Sequence, residues 1–302
     1  MSGVPAPAPD WTQRRERGSL PLIRFMVWFS VAVGRTASRG LLRAIALYFL
    51  ATGGAARRAT RDFLARALGR KPTLAEQYRS FFAFAATIHD RIYFLKERFE
   101  LFHIEAHGRE LFEEGGGALL MGGHLGSFES MRACGRSLIK RRVAMAMYGA
   151  HAQKLQAVLE AIAPGASRDI VALGQVQSML ELERCLEEGA LVGVLADRTF
   201  QDEATISVDF MGAPARFPTG PMRMAAATRQ RVIFMVGLYR GGNRYELHFE
   251  PLADFTDLEG LSRTEREARV HQAVKAFAAR LEHHARSAPD NWFNFFDFWK
   301  QP

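Results

Sequence analysis

The feature of this sequence that most restricts its fold is a regular alternation, beginning at residue 118, of short apolar runs with segments of helical periodicity. The apolar runs have the length of strands, and we predict strands at 118–122, 142–148, 169–173, 190–196, 206–211, 231–240 and 244–251. Helical patterns separate or follow them at 127–140, 151–163, 175–188, 218–230 and 262–286. Because strands connected through helices pair in parallel, the sequence predicts an α/β fold with a mixed, largely parallel sheet flanked by helices.

One exception to parallel pairing is predicted near the end of the chain. Gly241-Gly242-Asn243 separates the last two strands, and a short glycine-rich connection of this kind is typical of an antiparallel hairpin. The chain has 302 residues, enough for one large domain with a buried core. Its two cysteines, Cys134 and Cys185, lack the spacing of a metal site and are expected to be reduced thiols.

Positive charge is concentrated in the first 70 residues. They hold 12 Lys and Arg against 3 Asp and Glu, a balance of +9, whereas the whole chain carries +8, which leaves −1 for the remainder. Apolar runs at 20–33 and 41–50 interleave with the basic residues, and this combination favours an anionic membrane surface over nucleic acid. Each run is shorter than the roughly 20 apolar residues that a membrane span needs. We therefore expect interfacial helices or a shallow hairpin, with a helical subdomain packed on the core as the alternative.

The first predicted strand leads into the octapeptide Gly122-Gly123-His124-Leu125-Gly126-Ser127-Phe128-Glu129. Residues five apart in one helix lie about 140° apart, so His124 and Glu129 meet only if His124 lies in the turn and Glu129 in the following helix. A carboxylate that accepts the proton of one imidazole nitrogen fixes the tautomer, and the other nitrogen is then able to accept a proton from a substrate hydroxyl. The octapeptide therefore contains a candidate general-base dyad.

A second candidate lies at the end of the strand predicted at 190–196, where Asp197 and Arg198 follow directly. Ligands of open α/β sheets bind at the carboxyl ends of the strands, so a charged pair in this place is a candidate for substrate binding. A helix cap or a structural ion pair is the alternative interpretation of the same two residues.

Together these segments resemble a known family. His124, Gly126, Phe128 and Glu129 fit the signature of the bacterial late lipid A acyltransferases, the lauroyl/myristoyl transferase family related to the glycerolipid acyltransferases. That signature is a histidine, four intervening residues, and then Asp or Glu. Residues 190–198 and 210–220 resemble further blocks of the same family. The resemblance extends from about residue 20 to the C-terminus and implies a glycerolipid-acyltransferase-like fold.

The resemblance implies that a fatty or related acyl chain moves from a thioester donor to a hydroxyl of a membrane lipid or glycolipid. The expected donor is acyl carrier protein, with acyl-CoA as the alternative, and the expected location is the cytoplasmic face of the inner membrane. His124 would be the general base and Glu129 the residue that orients it. Neither a cofactor, nor a metal, nor a nucleic acid is implied.

The candidates for substrate binding are Gly123, Arg168, Asp197, Arg198 and Arg216, and of these Arg168 is assigned by the resemblance. Backbone N–H groups of the turn at Gly123, or Arg168, would stabilise the oxyanion, and Arg216 would contact a phosphopantetheine or lipid phosphate. The chain then divides into a disordered N-terminus at 1–18, membrane-associated helices at 19–54 and an acyltransferase catalytic domain at 55–302.

The end of the chain departs from the family pattern. Lipid A enzymes usually end in a tryptophan and a basic segment, whereas residues 291–299 read Asn-Trp-Phe-Asn-Phe-Phe-Asp-Phe-Trp. The basic residues expected near an anionic phosphosugar are absent from this segment, which argues against lipid A as the acceptor. The aromatic ending resembles members of the family that occur in gene clusters for aryl polyene pigments. The aromatic side chains would line an acyl groove, lie against the bilayer or pack in the core.

Two other classes of function stay open on the sequence alone. A metal-dependent hydrolase would use His124, Glu129 and Asp197, but the sequence has no HExxH-type pair of ligands. A non-enzymatic basic membrane-binding protein would need only the N-terminal segment. Nucleic acid is not an expected partner, because the excess positive charge lies outside the body of the fold.

Overall fold

The protein is represented by a computed structural model that describes residues 20–113, 115–163, 165, 169–173, 176–199 and 203–300. Its helices are α1 Leu20–Val33, α2 Arg35–Thr52, α3 Gly54–Leu68, α4 Leu74–Leu95, α5 Phe128–Cys134, α6 Gly149–Ile162, α7 Val176–Glu187, α8 Gly220–Ala227 and α9 Arg263–Ser287. Its strands are β1 His103–His107, β2 Ala118–Gly122, β3 Val143–Tyr148, β4 Ile170–Leu173, β5 Leu191–Leu195, β6 Thr205–Phe210, β7 Ala213–Pro218, β8 Arg231–Tyr239 and β9 Arg244–Asp254. The predicted N-terminal disorder at 1–18 and the candidate Arg168 lie outside the described residues.

Seven strands form the main sheet in the order β1-β9-β8-β2-β5-β3-β4. β2 pairs in parallel with both β5 and β8, and β3 pairs in parallel with β4 and β5. β9 is antiparallel to β8 across the predicted glycine-rich hairpin, and β1 lies parallel to β9 at the edge. The prediction of a mixed, largely parallel sheet flanked by helices is confirmed.

Three features of the strands differ from the prediction. The strand predicted at 206–211 exists as β6, but it pairs with β7 in a separate two-stranded antiparallel sheet. β7 was not predicted because Pro214 and Pro218 interrupt its apolar pattern, and such prolines are tolerated in a strand only at an edge. β1 was not predicted because alternate residues on it are polar and exposed.

The central strands form because their residues are apolar on both faces. All five residues of β2 are buried. Leu119 and Met121 belong to one core cluster, which includes Phe277 and Leu281 of α9, and Leu120 belongs to a second cluster on the other face. Helices therefore cover both faces of β2, as is usual for a parallel strand. The rigid carboxyl end of this strand carries His124.

The N-terminal helices pack on the body of the protein through a buried ion pair. Arg35 of α2 donates two hydrogen bonds of 2.8 Å to the carboxylate of Asp90 in α4. Tyr245 donates a third, also 2.8 Å long, and Asp90 has no exposed surface. Removing one partner of such a buried pair typically costs about 3–5 kcal/mol. These helices therefore pack on the body of the protein, as in the alternative interpretation of the N-terminal sequence.

The outer surface of the same helices is apolar. Phe25, Trp28, Leu47 and Tyr48 each expose more than half of their surface. Among the helices that the structure describes, none is both long and apolar enough to cross a membrane. The division of the chain at residue 54, and contact of residues 19–54 with a membrane, stay predictions.

Candidate active site

His124 lies in a tight turn between β2 and α5. Gly126 in this turn has φ = +74°, and a Cβ atom there would lie 2.1 Å from the Gly237 carbonyl oxygen, so only glycine fits. Ser127 caps α5 by accepting a hydrogen bond from the Ser130 backbone N–H at 3.3 Å. These local constraints fix the backbone on both sides of His124 and hold its side chain at the end of the strand.

The side chain that holds His124 is Asp197. Because β2 and β5 are neighbouring parallel strands, with Gly122 opposite Leu195, the residues that follow them meet at the same edge of the sheet. The Nδ1 atom of His124 lies 2.7 Å from Asp197 Oδ1, and the backbone N–H of His124 donates to Asp197 Oδ2 at 3.0 Å. Asp197 is fully buried, whereas 28% of the His124 side chain is exposed. The buried carboxylate thus fixes the imidazole ring, while part of the ring stays accessible to solvent.

Gly123 allows this close approach. A Cβ atom at Gly123 would lie 2.9 Å from Leu281 Cδ1 and 3.2 Å from Asp197 Cγ. A side chain at this position would therefore press on the carboxylate that holds His124. Gly123, predicted as a substrate-binding residue, is placed by the structure against the His124–Asp197 pair.

The charge of Asp197 is strongly stabilised. Burial alone would raise the pKa of Asp197, but the charge and hydrogen bonds of His124, with the charge of Arg198, outweigh burial and lower that pKa to about 2. Asn294 Nδ2 donates a further hydrogen bond of 2.8 Å to Asp197 Oδ2. The carboxylate is therefore ionised at neutral pH. It accepts hydrogen bonds from the His124 backbone N–H and from Asn294 Nδ2, and from the His124 ring when the proton of that ring is on Nδ1.

Arg198 contacts the side-chain oxygen of Asn294, the residue whose side-chain nitrogen donates to Asp197. Its Nε donates to Asn294 Oδ1 at 2.8 Å, and its guanidinium lies 5.4 Å from the centre of the Phe296 ring. Burial lowers the pKa of Arg198 to about 10, opposed by the negative charge of Asp197, so the guanidinium stays charged at neutral pH. Arg198 and Asp197 were both predicted as site residues. The structure places Asp197 against His124, and Arg198 against the Asn294 amide that also contacts Asp197.

The aromatic C-terminal segment packs against the same turn. The Phe293 backbone N–H donates to the His124 carbonyl at 2.8 Å, and the Gly126 N–H donates to the Asn291 carbonyl at 2.9 Å. Trp292 is 3% exposed and stacks on Phe63 with ring centres 5.2 Å apart. Of the three placements left open by the sequence, this part of the tail adopts core packing, and it braces the backbone of His124.

Glu129, the carboxylate expected to orient His124, has another partner. It is buried in the first turn of α5, and its Oε1 lies 2.9 Å from Nε of Arg91 in α4. The two atoms are close but poorly aligned for a hydrogen bond, so their attraction is mainly ionic. The carboxylate within hydrogen-bonding distance of Nδ1 of His124 is therefore Asp197. The prediction that Glu129 holds this position is wrong.

Glu129 also lines a cleft beside α5. The cleft has a volume of about 290 Å³, and Arg132 and Arg136 contribute to its wall. Both arginines donate to Asp169 Oδ2, at 3.2 and 3.1 Å, which leaves this wall only partly positive. Burial lowers the pKa of Arg132, although the negative charges of Glu129 and Asp169 act to raise it. The cleft is polar, and the helix that forms its wall is the one that follows His124.

The remaining predicted residue, Arg216, is exposed on β7 opposite Ser207. Its contact with a phosphate group stays a prediction. Asn294 and Arg91 were not predicted as site residues. Asn294 lies in the C-terminal tail, whose aromatic residues predicted an acyl groove, membrane contact or core packing. An amide side chain within such an apolar segment also indicates a buried hydrogen-bonding partner.

Comparison with known proteins identifies a family for this chain. The model of a family described as bacterial lipid A biosynthesis acyltransferase matches residues 17–301, a range that contains every candidate site residue. The crystal structure of the 1-acyl-sn-glycerophosphate (LPA) acyltransferase, PlsC, from Thermotoga maritima is similar, with 18% identity and a TM-score of 0.37, over 82% of this chain and 99% of that one. None of the curated proteins compared with the chain matches it.

Proposed function

Because this chain belongs to the bacterial lipid A biosynthesis acyltransferase family, and is an acyltransferase that acts on lipids, we propose that it moves an acyl chain from a thioester to a lipid hydroxyl. The acceptor would be a membrane lipid or glycolipid. The observation that best supports this reaction is the partly exposed His124 imidazole, held 2.7 Å from a fully buried carboxylate. Membership in the family also argues against the metal-dependent hydrolase and the non-enzymatic binder.

In the proposed reaction, His124 acts as the general base. With its Nδ1 proton donated to Asp197, its Nε2 accepts the proton of the acceptor hydroxyl as the oxygen attacks the thioester carbonyl. Asp197 stabilises the imidazolium that forms. The tetrahedral intermediate then expels the thiolate, which takes the proton from His124. The products are the new ester and the free thiol of the carrier.

The oxyanion of that intermediate needs hydrogen-bond donors. Backbone N–H groups of the turn around Gly123 are one proposed source, and Arg168 is the other. Arg216 is proposed to contact the phosphate of the donor or the acceptor. We propose that Glu129 supports the reaction indirectly, because its pairing with Arg91 fixes the start of α5 behind His124.

We propose acyl carrier protein as the donor and acyl-CoA as the alternative. Purified protein would be given each thioester in turn with a membrane lipid extract, and the release of free thiol would be measured. The proposal predicts thiol release that depends on the lipid and is faster with the carrier protein. Thiol release that is equally fast without the lipid would contradict transfer to a lipid acceptor.

The proposed location is the cytoplasmic face of the inner membrane, with the apolar surface of α1 and α2 as the contact. Phe25 and Trp28 are 52% and 65% exposed, and Arg43 on α2 is also exposed, which suits an anionic lipid surface. Phe25→Ser with Trp28→Ser should weaken sedimentation with anionic vesicles. Leu180, which is 62% exposed on α7, provides the control Leu180→Ser. Equal loss in the control would refute a specific contact at α1.

The resemblance to members from aryl polyene clusters suggests an acceptor other than lipid A. That suggestion rests on the sequence of the tail. In the structure, Trp292 and Phe298 of this tail are buried in the core, so their aromatic character also has a structural cause. The identity of the acceptor is therefore proposed at the level of a membrane lipid or glycolipid.

A further inference from the structure

The edge of the main sheet carries a group of imidazole and carboxylate side chains that the proposed reaction does not use. β1 and β9 pair so that Glu105 lies opposite Glu246 and His107 lies opposite His248. Ile104 and Ala106, which alternate with the β1 residues, pack on the core, so Glu105 and His107 share the opposite face. Like charges placed directly opposite each other, such as two ionised carboxylates, destabilise a sheet, and a cation close to them reduces this repulsion.

The side-chain atoms of three of these residues converge. Oε1 of Glu246 lies 2.9 Å from Nε2 of His248 and 3.8 Å from Nε2 of His107. The two imidazole rings are nearly parallel, with their centres 4.9 Å apart. One ligand atom from each of the three residues can be chosen so that all lie within 4.8 Å of one another. Two nitrogens and one carboxylate oxygen thus surround a single point.

We propose that His107, Glu246 and His248 bind a divalent transition-metal cation of the Zn²⁺ class. Two imidazoles and one carboxylate form a donor set that suits zinc and its neighbours better than Mg²⁺ or Ca²⁺. Tetrahedral zinc with bonds of about 2.0–2.1 Å separates its ligand atoms by about 3.3 Å. The observed separations of 2.9 and 3.8 Å lie on either side of this value. Binding would require the two imidazoles to rotate until the in-plane lone pair of one nitrogen of each ring points at the ion.

Neighbouring residues orient these ligands. Arg240 donates from Nε to Oε2 of Glu246 at 2.6 Å, which directs the other oxygen, Oε1, to the two histidines. His284 of α9 packs on His248 with ring centres 4.8 Å apart, and its Nε2 lies 2.6 Å from Glu250 Oε1. Ligand carboxylates in metal sites are commonly held by a second hydrogen bond of this kind.

Two groups could provide the fourth ligand of the cation, a water molecule or the carboxylate of Glu105. His107 is 46% exposed and Glu246 is 27% exposed, so water reaches the site. Oε1 of Glu105 lies 3.4 Å from Nε2 of His107 and is the second source. An accessible position of this kind allows the cation to enter the folded protein.

The cation would attach an edge strand to the rest of the sheet. β1 is hydrogen-bonded to β9 alone among the strands of the main sheet that the structure describes. His107 and His248 are distant in sequence, so a metal bridge between them closes a long loop. The predicted effect of the cation is on stability, and the inference does not depend on the proposed acyl transfer.

Titration of metal-free protein with Zn²⁺, followed by calorimetry, and with Co²⁺, followed by visible absorption, would test this inference. The protein must carry no histidine tag and must be treated with a chelator beforehand. We expect one ion per chain and at least a tenfold weaker affinity in His107→Gln and in His248→Gln. His271→Gln is the matched control, because His271 lies 3.1 Å from Glu267 on α9 and about 40% of its side chain is exposed.

Thermal unfolding provides an independent readout. Zn²⁺ at about 100 times its Kd should raise the Tm of the wild type by about 5 °C, but should leave the Tm of His248→Gln almost unchanged. Failure of the wild type to bind Zn²⁺ or Co²⁺ would overturn the inference. Binding that survives in both ligand variants, or that is lost to the same degree in His271→Gln, would overturn it as well.

Discussion

The replacement of Asp197 by asparagine tests the assignment of the orienting carboxylate. Oδ2 of Asp197 accepts from two donors, the His124 backbone N–H and Asn294 Nδ2, while Oδ1 lies against His124 Nδ1. In Asp197→Asn, an NH₂ group placed at Oδ2 would face two donors. The favoured orientation therefore puts NH₂ against Nδ1. His124 must then accept at Nδ1 and carry its proton on Nε2, the atom that the mechanism needs as a base.

The wrong tautomer should reduce kcat by roughly 10³–10⁴, as in hydrolases whose histidine loses its carboxylate. This loss corresponds to about 4–5 kcal/mol of transition-state stabilisation. The folded protein should also lose stability. The pKa of Asp197 is about 2, below its ordinary value of 3.8, so its ionised form contributes roughly 2–3 kcal/mol at neutral pH.

The assay is the steady-state rate of thiol release from the acyl thioester, with circular dichroism and thermal unfolding as checks of the fold. Glu129→Gln is the matched control, because it makes the same chemical change in a buried carboxylate five residues after His124. We expect the control to lose far less activity than Asp197→Asn. The reasoning would be refuted if Asp197→Asn kept more than a tenth of wild-type kcat while Glu129→Gln lost 10³-fold or more.

Three further predictions follow from named contacts. The stability difference between the wild type and Asp197→Asn should be full above about pH 5 and should vanish as the pH falls through 4 to 2, because the folded pKa is depressed; chemical unfolding at pH 7 and pH 3 measures it. Gly126→Ala should destabilise the protein by more than about 2 kcal/mol, whereas Gly212→Ala should cost about 1 kcal/mol. The angle φ is positive at both sites, but only at Gly126 would the added Cβ meet a carbonyl oxygen, that of Gly237. Thermal unfolding of the two variants measures the difference. EDTA should leave kcat unchanged within twofold while it lowers the Tm of protein loaded with Zn²⁺, since the proposed metal lies outside the reacting groups; loss of turnover that one divalent ion restores would assign the metal to catalysis instead.

The central strands were predictable because buried parallel strands are continuous apolar runs, and β2, β5 and β8 have this pattern. β1 was not, because His103, Glu105 and His107 give its outer face the composition of a loop. The separate pairing of β6 with β7 depends on tertiary contacts that periodicity does not report. Helix bounds at α5 also differed, since the predicted helix over 127–140 ends its α-helical part at Cys134 and continues as a π-helical turn.

The candidate histidine, His124, was predictable from its turn, but the carboxylate that contacts it was not. Spacing along the chain favoured Glu129, five residues away, whereas the sheet brings Asp197 to His124 from 73 residues away. Strand order decides this contact, and the sequence alone does not report that β2 and β5 are neighbours. Asp197 was a candidate for a sound physical reason, its position at the carboxyl end of a strand.

The N-terminal helices illustrate the same limit. Their composition predicted a membrane surface, and the exposed Phe25 and Trp28 are compatible with it. The pairing of Arg35 with Asp90 could not be predicted, since one arginine among many in a basic segment carries no distinguishing pattern. Deleting residues 1–53 would remove Arg35 and leave Asp90 buried without this partner. Surface substitutions are therefore the sharper test of membrane contact.

The most direct test of the account is a mass spectrum of total lipids from three strains of the same cell. One strain makes the wild-type protein, one makes His124→Ala at the same level, and one makes neither. We expect a lipid or glycolipid species heavier by one acyl group in the wild-type strain alone. An acylated species that is equally abundant with His124→Ala, or a lipid profile that does not depend on the protein, would contradict acyl transfer by His124.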